Sequence, residues 1–270
     1  MSGPAQSAAL SPTEIAREVE RLSPWHYEFD LGGVRTPIRA REWINRHRQR
    51  HRYFFDPLVQ AGFFRGKRVL DLGCNAGFWS LNAVAAGCEF VLGIDARDRH
   101  IEQARFVFRA LDVPGHRYRF ANANVFAMTP DSLGGRFDVV LCLGLLYHVC
   151  KPMELFERID AVNDDVLLID STVYKSDDVV MKLRHEPLDD PRMSADYELV
   201  FLPSPGAVHW MAVATGYSCH TLGLRFDDWE GCEDFRDGDR YAFACAKRTD
   251  LTGIYDNVVA SSAPQRRSGR

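Results

Sequence analysis

The sequence lacks the features that would place it outside a reducing compartment or in a membrane. None of its seven cysteines forms a C-x-x-C pair, and several lie in apolar runs, as Cys142 and Cys245 do. An odd, scattered set predicts buried free thiols, not a disulfide framework or a zinc site. No stretch reaches the roughly 18 apolar residues of a membrane span, and residues 1–11 lack the pattern of a signal peptide. We therefore expect a cytoplasmic protein that does not contact a membrane.

An excess of basic residues is also absent. The formal net charge is −4 over 270 residues, which argues against a general nucleic-acid binder but leaves a local basic patch open. With 46% hydrophobic and 26% charged residues, the composition is that of an ordinary globular protein with a sizeable core. The length suits one large α/β domain, or one domain with a small addition. The sequence does not predict the oligomeric state.

Strand-like and helix-like segments alternate through the middle of the chain. The apolar segments predicted to be strands are 68–72, 90–95, 118–122, 137–143 and 166–170. Helical patterns between them predict βαβ units and a doubly wound parallel sheet. Residues 171–203 are polar, contain prolines and interrupt this rhythm, so they are predicted to form an insertion or lid. A last strand over 240–246 follows an acidic turn that permits a hairpin.

The chain is predicted to divide into an N-terminal extension (1–60), a main domain (61–250) and a flexible tail (251–270). Helical spacing over 13–22 begins the extension, and the aromatic stretch 25–31 is predicted to form a short strand or an extended arm. We expect the extension to pack on the main domain.

An arginine-rich stretch over 39–55 ends the extension with Tyr53, Phe54 and Phe55. Runs of charge are most often solvated faces. We therefore interpret this stretch as an exposed helix face that the aromatic residues anchor to the main domain.

The segment 69–78 suggests a ligand site. A strand ends in Asp71, and Gly73 and Gly77 follow four residues apart, so bare backbone reaches the carboxyl edge of the sheet, where open α/β sheets bind ligands. Asn75 stands between them and is the residue that best tolerates left-handed geometry after glycine. Asp95 ends the next strand and is able to accept both hydroxyls of a ribose. The dinucleotide fingerprint G-x-G-x-x-G is not met, which leaves an NAD-dependent dehydrogenase as the weaker interpretation.

These residues resemble the first two motifs of class I S-adenosylmethionine-dependent methyltransferases, and the likeness extends over about residues 65–247. The main departure is Asn75, where the family usually has glycine. The resemblance implies a Rossmann-like, doubly wound seven-stranded sheet with an antiparallel last strand, and S-adenosyl-L-methionine as cofactor. The cofactor-binding residues that it implies are Asp71, Gly73, Asn75, Gly77, Asp95, Ala96, Asn124, Val125 and Leu143.

His148 follows the fourth predicted strand, whose carboxyl end faces the transferred methyl group in this family. Histidine has a suitable pKa for a general base near neutral pH, so we expect His148 to remove a proton from an acceptor hydroxyl. The structural alternative is that His148 caps the next helix or packs under the lid. Asp170 ends the fifth strand at the same rim, in an arrangement similar to that of some sugar O-methyltransferases. Together with Asp196 and Glu198 it is a candidate ligand set for Mg²⁺.

The substrate-binding residues are predicted to be Tyr147, His209 and Trp210, with a core position as the alternative for the tryptophan. The aromatic arm and the segment 145–148 resemble a subfamily related to tRNA wobble-uridine methyltransferases, whose members also act on sugars and small molecules. The 28 arginines against five lysines indicate a GC-rich genome, for example that of an actinobacterium. One specific enzyme expected there is a methylmannose-polysaccharide O-methyltransferase. We therefore expect a sugar or small-molecule acceptor, with a tRNA bound through the arginine-rich segment as the alternative.

Overall fold

An eight-stranded mixed sheet forms the centre of the protein. The computed structural model describes residues 10–190, 193–255 and 258–259. The strands, in chain order, are β1 (Arg68–Leu72), β2 (Phe90–Asp95), β3 (Tyr118–Asn122), β4 (Phe137–Leu143), β5 (Asn163–Thr172), β6 (Met181–His185), β7 (Leu199–Pro203), β8 (Ser218–Leu222), β9 (Arg240–Ala246) and β10 (Val258–Val259). Strands β6 and β7 form a separate antiparallel pair.

The order of strands in the sheet is β3-β2-β1-β4-β5-β9-β8-β10. The first five run parallel, and β9, β8 and β10 add in antiparallel fashion. The predicted seven-stranded doubly wound sheet is confirmed, and β10 extends it by one short edge strand. The order reverses between β1 and β4, so a crevice opens at their carboxyl ends.

Helices cover both faces of the sheet because each central strand alternates its buried side chains between two apolar clusters. On β1, Val69 faces one cluster and Leu70 faces the other. The helices are α1 (Pro12–Arg21), α2 (Arg41–Arg50), α3 (Asp56–Gln60), α4 (Phe78–Ala85), α5 (Asp98–Ala110), α6 (Pro130–Leu133), α7 (Pro152–Val162), α8 (Pro205–Ala214) and α9 (Glu233–Arg236). No helix in the described ranges is both long enough and apolar enough to span a bilayer.

The aromatic stretch 25–31 forms an extended arm with isolated bridges to residues 35 and 38. Trp25 donates its indole N–H to the carbonyl of Val19 at 2.8 Å, which joins the arm to α1. Tyr27 stacks on Phe78 at the start of α4, with ring centroids 4.7 Å apart. The arm therefore lies beside the glycine loop that precedes α4.

The arginine-rich stretch is exposed on one side only: Arg48 and Arg52 are exposed, while Phe54 is buried as an anchor. The prediction of a solvated face is therefore wrong for the inner side of the helix. Helix α2 buries Asn45, His47, Gln49 and Arg50, and a π-helical turn (His51–Phe55) leads from it into α3. Inward-facing polar groups on α2 meet partners from the far end of the chain: Arg46 Nη2, for example, lies 2.7 Å from Asp234 Oδ2. Tertiary partners therefore decide which side of the helix is buried.

The segment predicted to be a lid contains the β6–β7 pair. Its backbone joins the main domain where the amide of Phe201 donates to the carbonyl of Val149 at 3.1 Å. The guanidinium of Arg97 donates to the carbonyls of Met193 and Ser194 at 3.2 and 3.1 Å. These bonds hold the lid over the carboxyl edge of the sheet.

The described part of the predicted flexible tail packs against the domain. Leu251 and Tyr255 are buried, and the tyrosine hydroxyl donates to the carbonyl of Phe54 at 2.8 Å. Val258 pairs with Leu222 of β8. The prediction of a flexible segment is therefore wrong for these residues, because the tail completes the apolar cluster beside α3.

Candidate active site

A cavity of about 440 Å³ lies at the switch point, between the carboxyl ends of β1, β2 and β4 and the lid. This volume lies within the ~300–1,000 Å³ typical of small-molecule and cofactor sites. The predicted cofactor residues that line it are Gly73, Asn75, Asp95, Ala96, Asn124, Val125 and Leu143. Their strands come together here because parallel strands end at the same edge of the sheet.

The glycine loop adopts the geometry that its sequence predicts. Asn75 has a φ of 50°, in the left-handed region, and Gly73 has a φ of 66°. The backbone amide of Asn75 donates to Asp95 Oδ2 at 3.0 Å, and the amide of Arg97 donates to Asp95 Oδ1 at 2.9 Å. The loop and the end of β2 therefore hold the Asp95 carboxylate in the cavity wall, in a position to accept ribose hydroxyls. The residues present fit S-adenosyl-L-methionine.

Two predicted cofactor residues support the loop without lining the cavity. Asp71 is fully enclosed and accepts a bond from Ser80 Oγ at 2.6 Å, and burial raises its pKa to about 7. Gly77 has a φ of 81°, and a Cβ there would lie 3.1 Å from Phe120 Cζ and 3.3 Å from Ala104 Cβ. The structure shows that these two residues shape the turn from β1 into α4, and direct contact with the cofactor stays a prediction for them.

His148 lines the cavity, in a 3₁₀ turn after β4 (Leu146–His148). Its Nδ1 lies 2.7 Å from Oε2 of Glu186, a carboxylate that is 1% exposed and also accepts from the amide of Ser194 at 2.8 Å. Burial, followed by the positive charges of Arg184 and Arg240, lowers the pKa of His148 to about 3. The imidazole is therefore neutral near pH 7.

Asp170 is not placed to act on a substrate or to orient His148. Its carboxylate is fully buried and accepts from Arg50 Nε at 2.6 Å on one oxygen and from Arg240 Nε on the other. Burial favours a raised pKa, but the Arg240 and Arg50 charges outweigh it and hold the pKa of Asp170 below its ordinary value. The catalytic prediction for Asp170 is corrected to a structural one, a bridge between α2, β5 and β9.

The predicted Mg²⁺ ligands do not come together. Both oxygens of Asp170 are taken by guanidinium groups, and Glu198 is exposed, with its Oε2 3.9 Å from Nε2 of His185. Asp196 alone of the three lines the cavity. Within the described ranges no three histidine, cysteine or acidic residues are arranged to hold a metal ion. The prediction of this metal site is therefore wrong.

Removal of divalent cations provides a direct check. We expect an excess of EDTA, which removes Mg²⁺ from open carboxylate sites, to leave the rate of methyl transfer unchanged. The measurement is the initial rate with and without EDTA, with re-addition of Mg²⁺ as the control. A loss of activity that Mg²⁺ restores would contradict this expectation.

The predicted substrate residues separate into two groups. Tyr147 lines the cavity, and Arg240 Nη1 lies 3.3 Å from its hydroxyl. His209 and Trp210 do not line it. His209 is buried, with its Nε2 2.8 Å from Thr221 Oγ1, and Trp210 is 41% exposed on α8. The structure therefore places neither residue at the cavity, contrary to the prediction.

Sequence reasoning missed the residues that the extension and the lid contribute to the cavity. They are His26, Tyr27, Trp43, Arg46 and Arg50 of the extension and Arg184, Met193, Ser194, Ala195 and Tyr197 of the lid. The aromatic arm and the arginine run were signals for the first five. No local pattern marks the lid residues, because the fold of the lid brings them to the site. Arg240 at the start of β9 also lines the cavity.

The sequence from α2 to β8 matches a known family. Residues 45–222 match the family described as "Methyltransferase domain". The chain belongs to this family. It is a class I S-adenosylmethionine-dependent methyltransferase, and the interpretation as a dehydrogenase is wrong.

Relatives of the methyltransferase carry several activities in their names. It is 29% identical over 202 residues to a tRNA U34 carboxymethyltransferase of Pseudomonas putida, covering 73% of this chain and 57% of that one. It is also 29% identical over 173 residues to a ubiquinone biosynthesis O-methyltransferase of Neisseria meningitidis, covering 62% and 67%. The chain thus spans little more than half the length of the tRNA-modifying relative.

Solved methyltransferases share the fold. The N-terminal domain of EvdMO1, crystallised in the presence of S-adenosylhomocysteine (SAH) and D-fucose, superposes with a TM-score of 0.69 at 22% identity, covering 91% of this chain and all of that one. Magnesium protoporphyrin IX methyltransferase from Synechocystis, with bound SAH, gives 0.52 at 17% identity, covering 74% and 83%.

Proposed function

We propose that this methyltransferase transfers a methyl group to a hydroxyl of a sugar or another small molecule, with His148 as the general base. The cofactor supplies an activated methyl group on a sulfonium, so the chain has to align the hydroxyl and remove its proton. Nδ1 of His148 is engaged by Glu186, which leaves Nε2 for the hydroxyl proton. This buried histidine–carboxylate pair in the cavity wall is the observation that supports the proposal.

Glu186 has a defined part in this mechanism. A carboxylate at Nδ1 keeps the proton on that nitrogen, so Nε2 presents its lone pair, and it stabilises the imidazolium that forms when the hydroxyl is deprotonated. Glu186 is itself fixed by the amide of Ser194 in the lid. The proposed base therefore depends on the lid for its orientation.

A transfer assay tests the proposed acceptor class. The protein is incubated with methyl-labelled cofactor and a panel of sugars and small hydroxy compounds, and the products are treated with mild alkali. We expect labelled product that survives alkali, because a methyl ether resists hydrolysis and a methyl ester does not. Label released by alkali, or label on nitrogen, would refute transfer to a hydroxyl. Titration with SAH verifies that the protein used is competent to bind cofactor.

Transfer to a tRNA is the second candidate. The relatives named as tRNA U34 carboxymethyltransferases favour it, and the solvent-exposed side of the 39–52 segment carries arginines. Binding to RNA releases many counterions, so its affinity falls steeply as salt rises, whereas the affinity for a small acceptor with few charges depends on salt only weakly. The same assay with total tRNA at two salt concentrations separates the candidates.

The dependence of rate on pH follows from the environment of His148. Its pKa is lowered from 6.5 to about 3, so the free enzyme holds a neutral, proton-accepting imidazole down to mildly acidic pH. Because kcat/KM reports the ionisation of the free enzyme, we expect kcat/KM not to fall as the pH drops through 6.5. The fall caused by protonation of His148 should occur at a lower pH. The measurement is kcat/KM between about pH 5 and 8. A limb at the ordinary histidine pKa that disappears in His148→Gln would contradict this expectation.

A further inference from the structure

Besides Glu186, which bonds to Nδ1 of His148, two positively charged side chains lie next to the proposed base. The guanidinium carbons of Arg184 and Arg240 lie 5.7 and 5.0 Å from the ring centroid of Tyr147, and the ring of His148 lies 4.0 Å from the same centroid. Arg240 also approaches Gly144, with Nη2 3.5 Å from the position that a Cβ would occupy there. Two guanidinium groups therefore flank the Tyr147–His148 ring pair in the cavity wall.

The two carboxylates that bind these guanidinium groups are already shared between partners. Asp170 is shared between Arg50 and Arg240, and Glu186 binds Arg184 with one oxygen and His148 with the other. Among the described residues, three guanidinium groups thus share two carboxylates. Nη2 of Arg50 and Nε of Arg184 are enclosed and have no hydrogen-bond acceptor in the described part of the chain. Buried N–H donors without acceptors are costly, and an anionic ligand supplies acceptors for them.

The cofactor increases this imbalance. S-adenosylmethionine carries a sulfonium and an ammonium against one carboxylate, so its binding adds net positive charge to the cavity. Asp95 and Asp196 also line the cavity, but among the described residues they form no ion pair with Arg50, Arg184 or Arg240. An acceptor with a negative charge therefore provides the partner that these guanidinium groups lack. Guanidinium groups form their strongest hydrogen bonds with carboxylates and phosphates, whose oxygens match the planar arrangement of the N–H donors.

We propose that the acceptor carries an oxyanion, a carboxylate or a phosphate, next to the hydroxyl that is methylated, and that Arg184 and Arg240 bind this group. The inference rests on the proposed O-methyl transfer and names its substrate class. Arg240 is held in place by Asp170, whereas Arg184 extends from the lid strand β6, so the anion joins the two walls of the cavity.

A bound anion also acts on the proposed base. The charged groups that act on His148 are Arg184 and Glu186 on the lid, Arg240 on β9, Arg97 beside β2 and Asp190. An oxyanion between Arg184 and Arg240 offsets the two charges that oppose protonation of the imidazole, and so raises its proton affinity in the complex. The correct acceptor therefore makes His148 a stronger base, and a neutral analogue does not.

The test is a calorimetric titration of the protein saturated with SAH. The probes are D-glucuronate, D-glucose 6-phosphate and D-glucose, which distinguish a carboxylate from a phosphate and both from a neutral sugar. We expect one of the anions to bind roughly tenfold or more tightly than D-glucose, as charge-assisted bonds to two arginines predict. Arg184→Gln should abolish this preference and Arg184→Lys should restore part of it. Arg158→Gln, which removes an exposed arginine of α7, should leave the preference unchanged.

Arg240→Lys provides a second variant that keeps a positive charge for Asp170, and it should weaken the preference for the anion. Equal binding of the three sugars, no binding of either anion at millimolar concentrations, or a preference that survives in both Arg184→Gln and Arg240→Lys would overturn the inference. A loss of SAH affinity in Arg184→Gln would also overturn it, because the arginine would then serve the cofactor. The proposed function fails separately, if the labelled methyl group reaches no hydroxyl.

Discussion

Replacing His148 with glutamine is expected to lower kcat by roughly 10²–10⁴-fold, the usual contribution of a positioned general base. Glutamine is able to keep a hydrogen bond to Glu186 but has no nitrogen that accepts a proton near neutral pH. The affinity for SAH should remain that of the unmodified protein, because the His148 side chain hydrogen-bonds Glu186 of the lid and not one of the predicted cofactor residues. Single-turnover rates and calorimetric titration with SAH measure the two quantities.

Two further variants separate a role in catalysis from a role in folding. His116→Gln alters an exposed histidine outside the cavity and should retain full activity. Glu186→Gln should reduce kcat by a smaller factor, on the order of tenfold, because the imidazole remains but loses its charged partner; Glu186→Asp should recover part of this loss. Full turnover in His148→Gln with normal SAH binding would show that another group removes the proton.

Replacing Asp170 with asparagine is expected to lower the free energy of unfolding by about 3–5 kcal/mol, the cost of removing one partner from a buried ion pair. The carboxylate is fully buried and is the partner of both Arg50 and Arg240, whose side chains are 4% and 6% exposed. Asparagine leaves two buried guanidinium groups without a compensating charge. Denaturant unfolding gives the free energy, and the melting temperature should fall by roughly 6–20 °C.

The matched control for Asp170→Asn is Asp164→Asn. Asp164 also pairs with an arginine, Arg136, but the two side chains are 41% and 40% exposed. An exposed pair contributes less than about 1 kcal/mol, so this variant should unfold close to the unmodified protein. Similar stability of the two variants would mean that Asp170 is not the bridge that joins α2 to the sheet.

Local patterns predicted the part of the site that local structure builds. A strand, a glycine turn and a helix in succession require only neighbouring residues, so Gly73, Asn75 and Asp95 were predicted from the sequence and do line the cavity. Their meeting follows from topology, because parallel strands end at one edge of a sheet. The position of His148 after β4 follows by the same argument.

Tertiary structure alone decided which charges face inward and what they contact. The arginine run of α2 carries no sign of its buried side, since the partner of Arg50 is 120 positions away in sequence. For the same reason Asp170 suggested catalysis from its place at the rim, while the fold satisfies both its oxygens with arginines. Glu186 had no pattern to mark it, because the lid delivers it to His148. A charge in a sequence has a sign, but its neutralising partner is set only when distant segments pack together.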